Sequence, residues 1–80
     1  MADDKEALRD EERRIRRLRR LVDLTTVLLA QSDLTLEHAQ NLIAICRKHA
    51  LELFPDKEET FELIYGSRFR RILAERFQLQ

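Results

Sequence analysis

The sequence predicts an all-α fold: a small antiparallel three-helix bundle with a long first helix and a kink or break near Gly66, which becomes a four-helix arrangement if Gly66 makes a true corner. Three observations carry this expectation. Apolar residues recur at spacings of three and four along almost the whole chain, and no stretch alternates strictly as a strand would. A single glycine and a single proline leave few places to turn. The 80 residues combine 44% hydrophobic with 38% charged side chains, a mixture that suits a folded, soluble helical domain rather than a disordered chain.

The first helix is expected from about Asp4 to Gln31. Leu8, Ile15, Leu18, Val22, Thr25 and Leu29 trace a heptad-like seam, and Leu21, Leu24 and Leu28 widen it in the second half, which should therefore be the better buried. The segment "SDLT" breaks this helix. Thr35 is the expected N-cap of the second, because its hydroxyl can accept from exposed backbone amides, and Glu37 suits the positive first turn. The second helix then runs from about Leu36 to Phe54 with an inward stripe of Ala39, Leu42, Ile43, Cys46, Ala50 and Leu53. Pro55 stops it. Asp56 followed by Glu59 reads as a capping box for a third helix that buries Phe61 and Ile64, with Tyr65 half-buried at the bundle end. At "GS", Gly66 can cap one helix and Ser67 can begin another. The last helical segment, about Arg68 to Gln78, carries Phe69, Ile72, Leu73 and Phe77 on one face.

Residues 1–80 form one domain, with the acidic segment 1–12 a frayed N-terminal part of helix one. A core this small supplies only ~3–5 kcal/mol, so stability is expected to lean on a neighbour. One cysteine makes no internal disulfide, no Cys/His spacing suggests structural zinc, and "MADDKEALRD" lacks the features of a secretory signal. A reducing, cytoplasmic setting follows as the expectation. The longest apolar run, "LVDLTTVLLA", is about half a bilayer span and carries Asp23, which excludes a transmembrane helix there.

Charge balances at fifteen basic against fifteen acidic residues, but its placement is uneven. Residues 1–12 and 52–62 are acidic, and 13–20 and 68–76 are basic. Within "RRIRRLRR", Arg13, Arg16, Arg17 and Arg20 fall together opposite the Ile15–Leu18–Val22 seam, and Arg9 extends their row. At ~1.5 Å per residue, helix one is ~40 Å long against ~28 Å for helix two, so roughly two to three turns overhang the bundle at the Arg-rich end.

Four readings compete for that helix. It can be a solvated face with the pairs Glu12–Arg16, Asp10–Arg14 and Arg20–Asp23. It can be a protein-docking surface, with Ile15 and Leu18 as apolar contacts and Arg13, Arg16, Arg17 and Arg20 selecting acidic partner groups, in a regulatory module that pairs with another protein or with itself as a homodimer. It can bind nucleic acid by neutralising phosphates, although six acidic residues stand just upstream and no aromatic is placed among the arginines to stack on bases. A membrane-surface helix lacks bulky aromatic anchors and is the least favoured.

Catalysis is not expected. Cys46 and His49 lie one turn apart, but Cys46 sits in the middle of an apolar stripe, where a lone cysteine is ordinarily a small core residue. His38 is ~16 Å along the axis from His49, too far to share an ion. No Gly-rich phosphate loop or nucleophile elbow is present, so no catalytic, metal or cofactor-binding residues and no small-molecule substrate are inferred. Glu58, Glu59 and Glu62 are read as first-turn dipole compensation and ordinary solvation, with pairing to an Arg-rich surface as the alternative.

Overall fold

The computed structural model describes residues 2–31 and 33–78, and every described element is helical. α1 (Ala2–Leu29) is followed by α2 (Leu36–Leu53), α3 (Glu58–Phe61), a π-helical segment (Glu62–Gly66) and α4 (Ser67–Phe77). The last three run on without interruption as a third rod, giving a small all-α, bundle-like fold. Its extents of 53 × 22 × 15 Å are set by α1, whose length outruns its neighbours.

α1 divides by burial as its sequence divides by charge. Residues 4–14 are all exposed, and Leu8 keeps 59% of its surface, so the acidic turns stand clear of the bundle. Packing begins at the half-buried Ile15 and Leu18 and completes at Val22, Thr25 and Leu29. Thr25 is tolerated on this seam because its hydroxyl donates to the Leu21 carbonyl at 2.8 Å, so its own polar atom is buried with a partner. The expected widening of the stripe is only partly present. Leu21 and Leu28 are half-buried, but Leu24 is 57% exposed, since α2 covers one flank of α1 and leaves that side open.

Thr35 caps α2 as its chemistry requires: its side-chain oxygen accepts from the His38 amide at 3.1 Å. Ala39, Cys46 and Ala50 are fully buried against α1, and Leu42, Ile43 and Leu53 flank them half-buried. Arg14 of α1 lies against Phe54, the residue that caps the end of α2, and Thr25 lies against Cys46 within α2.

The entry to the third rod differs from the expected capping box. The Lys57 amide donates to the Phe54 carbonyl at 3.1 Å, closing a turn that holds Pro55 and Asp56 at its centre. Asp56 is thereby committed to the turn, Lys57 takes the N-cap position without a side-chain cap bond, and Glu58 and Glu59 occupy the first turn. Glu58 and Glu62 both reach Arg47 of α2, the second through Nε to Oε1 at 2.6 Å, and Glu62 also meets Arg70 at 3.5 Å. The acidic face thus pairs with arginines of the same chain.

Gly66 makes no corner. Its φ of −57° and ψ of −45° are right-handed helical, and the Ser67 hydroxyl donates back to the Leu63 carbonyl at 2.7 Å instead of starting a new helix. The chain instead widens into π-helix between Glu62 and Gly66. That widening aligns the core. Phe61 and Phe69 are both buried, yet eight residues of α-helix would set them ~80° apart; a π turn absorbs one residue and brings them within ~20°. The cost is paid by Ile64, expected inside but 49% exposed. At the far end Arg76 donates to the Gln31 carbonyl, tying α4 to the loop after α1.

Candidate docking groove and basic stripe

Where α1 leaves the bundle, three elements border an open apolar cleft of about 280 Å³. Ile15 and Leu18 supply the α1 wall, Leu51 and Phe54 the end of α2, and Ile64 and Tyr65 the π segment. Buried Ala50 and Phe61 form its floor. The cleft exists for reasons visible residue by residue. Ala50 is too small to fill the space beside Leu18, Pro55 ends α2 before it can follow α1 further, and the π segment turns Ile64 outward to the rim.

The rim is cationic. Arg19 and Lys57 line the cleft directly. The Arg14 guanidinium lies 5.6 Å from the Phe54 ring centroid and that of Arg68 lies 5.5 Å from Tyr65, so both arginines are held against aromatic walls of the groove. No acidic residue is among those lining it. An apolar floor with positive edges can bury the apolar face of a helix while its flanking carboxylates meet the rim.

The structure divides the residues singled out from sequence between two places. Ile15 and Leu18 are in the groove. Arg13, Arg16, Arg17 and Arg20 are exposed and do not line it; they border an open strip along α1 together with Asp10 and Arg14. Of the charge pairs expected there none forms among the described residues. Asp10 meets Arg13 at 3.7 Å instead, because Arg14 is drawn to Phe54. Arg17 also borders a second opening, beside Leu21, His49 and Glu52.

Cys46 is buried, and this burial pushes its thiol above the ordinary range, with the Thr25 hydroxyl pulling weakly the other way. His49 is exposed, with Nδ1 3.4 Å from Glu52 Oε2, so the two side chains share no site. Among the described residues no cluster of three or more His, Cys, Asp or Glu side chains is placed to hold a metal ion, and no helix is long and apolar enough to cross a membrane.

Arg14, Arg19, Lys57 and Arg68 were missed by pattern reading, as was the groove itself, because its walls come from separate stretches of chain. One signal was present: Arg14 and Arg19 flank Ile15 and Leu18 within six residues. Comparison of the chain with family models, with curated proteins and with solved structures found no match.

Proposed function

We propose that this chain is a small protein-interaction module of regulatory character, whose groove takes the apolar face of an acidic amphipathic helix. The observation that carries the reading is an apolar cleft containing Ile15 and Leu18 and bordered by four cations, with no acid lining it. Apolar anchors at i, i+3 or i+4 and i+7 of the incoming helix would fill the cleft, and its glutamates or aspartates would meet Arg14, Arg19, Lys57 and Arg68. Arg13, Arg16, Arg17 and Arg20 lie further round α1 and act at longer range, raising the encounter rate with acidic surfaces. A lone buried thiol suits a reducing compartment, and we place the protein in the cytoplasm.

The test is fluorescence anisotropy with a labelled helical peptide carrying leucines at the anchor spacing and glutamates elsewhere. We expect micromolar binding that weakens with salt. Arg14→Gln with Arg19→Gln, at exposed positions, should weaken it about tenfold, and Ile15→Ala with Leu18→Ala should weaken it further while circular dichroism stays near wild type. A peptide with lysines in place of glutamates should not bind. Absence of binding, or equal binding by both variants, overturns the proposal.

The exposed row of Arg13, Arg16, Arg17 and Arg20 favours a second reading, phosphate contact with nucleic acid. Titration into labelled single- and double-stranded oligonucleotides at roughly 50 and 200 mM salt tests it, since phosphate contacts lose affinity steeply over that range. Binding that Arg16→Gln with Arg20→Gln leaves unchanged removes the stripe from consideration.

A further inference from the structure

We infer that the groove is filled by the protruding N-terminal turns of α1 from a second copy of this chain, in a reciprocal two-fold dimer. The inference rests on the docking reading above and names its occupant. The chain itself carries a net-acidic helical segment with an uncovered apolar anchor: around Leu8, which is 59% exposed, Asp4, Glu6, Asp10, Glu11 and Glu12 outnumber Lys5 and Arg9, and residues 4–14 are exposed throughout. The groove it would enter has the opposite charge at its edges, from Arg14, Arg19, Lys57 and Arg68.

The positions agree with a closed symmetry. Leu8 lies seven residues before Ile15 and within ~20° of it round α1, so the face that lines the groove continues outward along the overhang. If two α1 helices run oppositely about an axis crossing near Glu12 and Arg13, Leu8 of one copy comes level with Leu18 of the other. Each acidic segment then lies beside the other copy's cationic rim. A two-fold contact makes both exchanges at once, because the same surface serves both copies. Each segment is only nine residues long, so the contact is small and the dimer dissociates in the micromolar range. An external acidic helix would compete with the second copy for the groove, and dilution would open it.

Sedimentation equilibrium from about 1 to 300 μM reads the state of assembly, with concentration driving it by mass action. Wild type should pass from monomer to dimer, and Leu8→Asp, at an exposed position outside the bundle, should raise the dimer dissociation constant at least tenfold. The decisive pair exchanges the charges. Arg14→Glu with Arg19→Glu, Lys57→Glu and Arg68→Glu makes the rim acidic, and Asp10→Lys with Glu11→Lys and Glu12→Lys makes the overhang basic. Each variant alone should be monomeric, but an equal mixture should form a heterodimer, since each overhang then meets a rim of opposite sign. Helical content checked by circular dichroism separates lost association from lost folding. Dimerisation of either variant alone as in wild type, or a mixture that stays monomeric while wild type pairs, overturns the inference. Wild type that stays monomeric throughout while the acidic peptide still binds overturns the dimer and keeps the docking reading. Failure of both assays removes both.

Discussion

Leu29 and Leu24 are the same residue type on the same helix, and α1 treats them oppositely: Leu29 is fully buried and Leu24 is 57% exposed. Replacing Leu29 by Ala removes about three methylene equivalents from the core, worth ~2.4 kcal/mol in transfer alone at ~0.8 kcal/mol each. The unfilled space adds to this, and fully buried leucines truncated to Ala cost ~2–5 kcal/mol in total. A domain of this size holds only ~3–5 kcal/mol, so Leu29→Ala should consume most of it. Leu24→Ala loses less than half of that contact and regains a few tenths through the better helix propensity of Ala, leaving a net cost below ~1 kcal/mol. Thermal unfolding followed by circular dichroism, at protein concentrations low enough to keep monomers, distinguishes the two. Leu29→Ala should lose its cooperative transition or show a melting temperature lower by well over ~10 °C, at ~4–8 °C per kcal/mol for a domain this small, while Leu24→Ala stays close to wild type. Equal destabilisation by the two would refute the placement of α1 against α2.

The Arg47–Glu62 contact, 2.6 Å long but with side chains 43% and 37% exposed, should show a coupling of only ~0.5–1 kcal/mol in a double-mutant cycle using Arg47→Gln and Glu62→Gln. That coupling should shrink in molar salt, and one that does not would locate the energy in packing rather than charge. Cys46 should react with thiol reagents only as fast as the fold opens, giving a rate that rises with urea. Its thiol is held above its ordinary pKa of 9.0 by burial, so above about pH 9 the unfolded chain releases this proton while the folded chain keeps it. Stability should accordingly be unaffected by this group below pH 9 and decline above it. Cys46→Ala should flatten that decline, as measured by urea midpoints across alkaline pH.

Helical periodicity and side-chain chemistry made much of the architecture readable before any coordinates. The Thr35 cap, the buried row of Ala39, Cys46 and Ala50, and the exposed overhang of α1 all follow from local pattern or from relative helix lengths. Misplaced residues depend instead on what stands across from them. Leu24 repeats at helical spacing as well as Leu29 does, but the width of a buried stripe is decided by the neighbouring helices rather than by the stripe. Asp56 has the chemistry of an N-cap and is diverted by the turn after Pro55. Counting α-helical turns puts Ile64 inside, but the segment that carries it is π-helical. In the groove, Ile15 and Leu18 are legible because the apolar seam of α1 runs on past the reach of the shorter α2. Phe54 and Tyr65 are not, since nothing local joins residues eleven apart on separate elements.

The π segment has a consequence for how the chain can change in length. A π turn holds one residue more than the α turn it replaces. Losing one residue between Glu62 and Gly66 would let ordinary α-helix run straight through, with Phe61 and Phe69 still on the same line. The same loss inside α2 would swing Ala39 ~100° away from Cys46 and Ala50 and split the inner row. The third rod thus carries a spare residue, and a deletion there leaves unchanged which side chains the core receives.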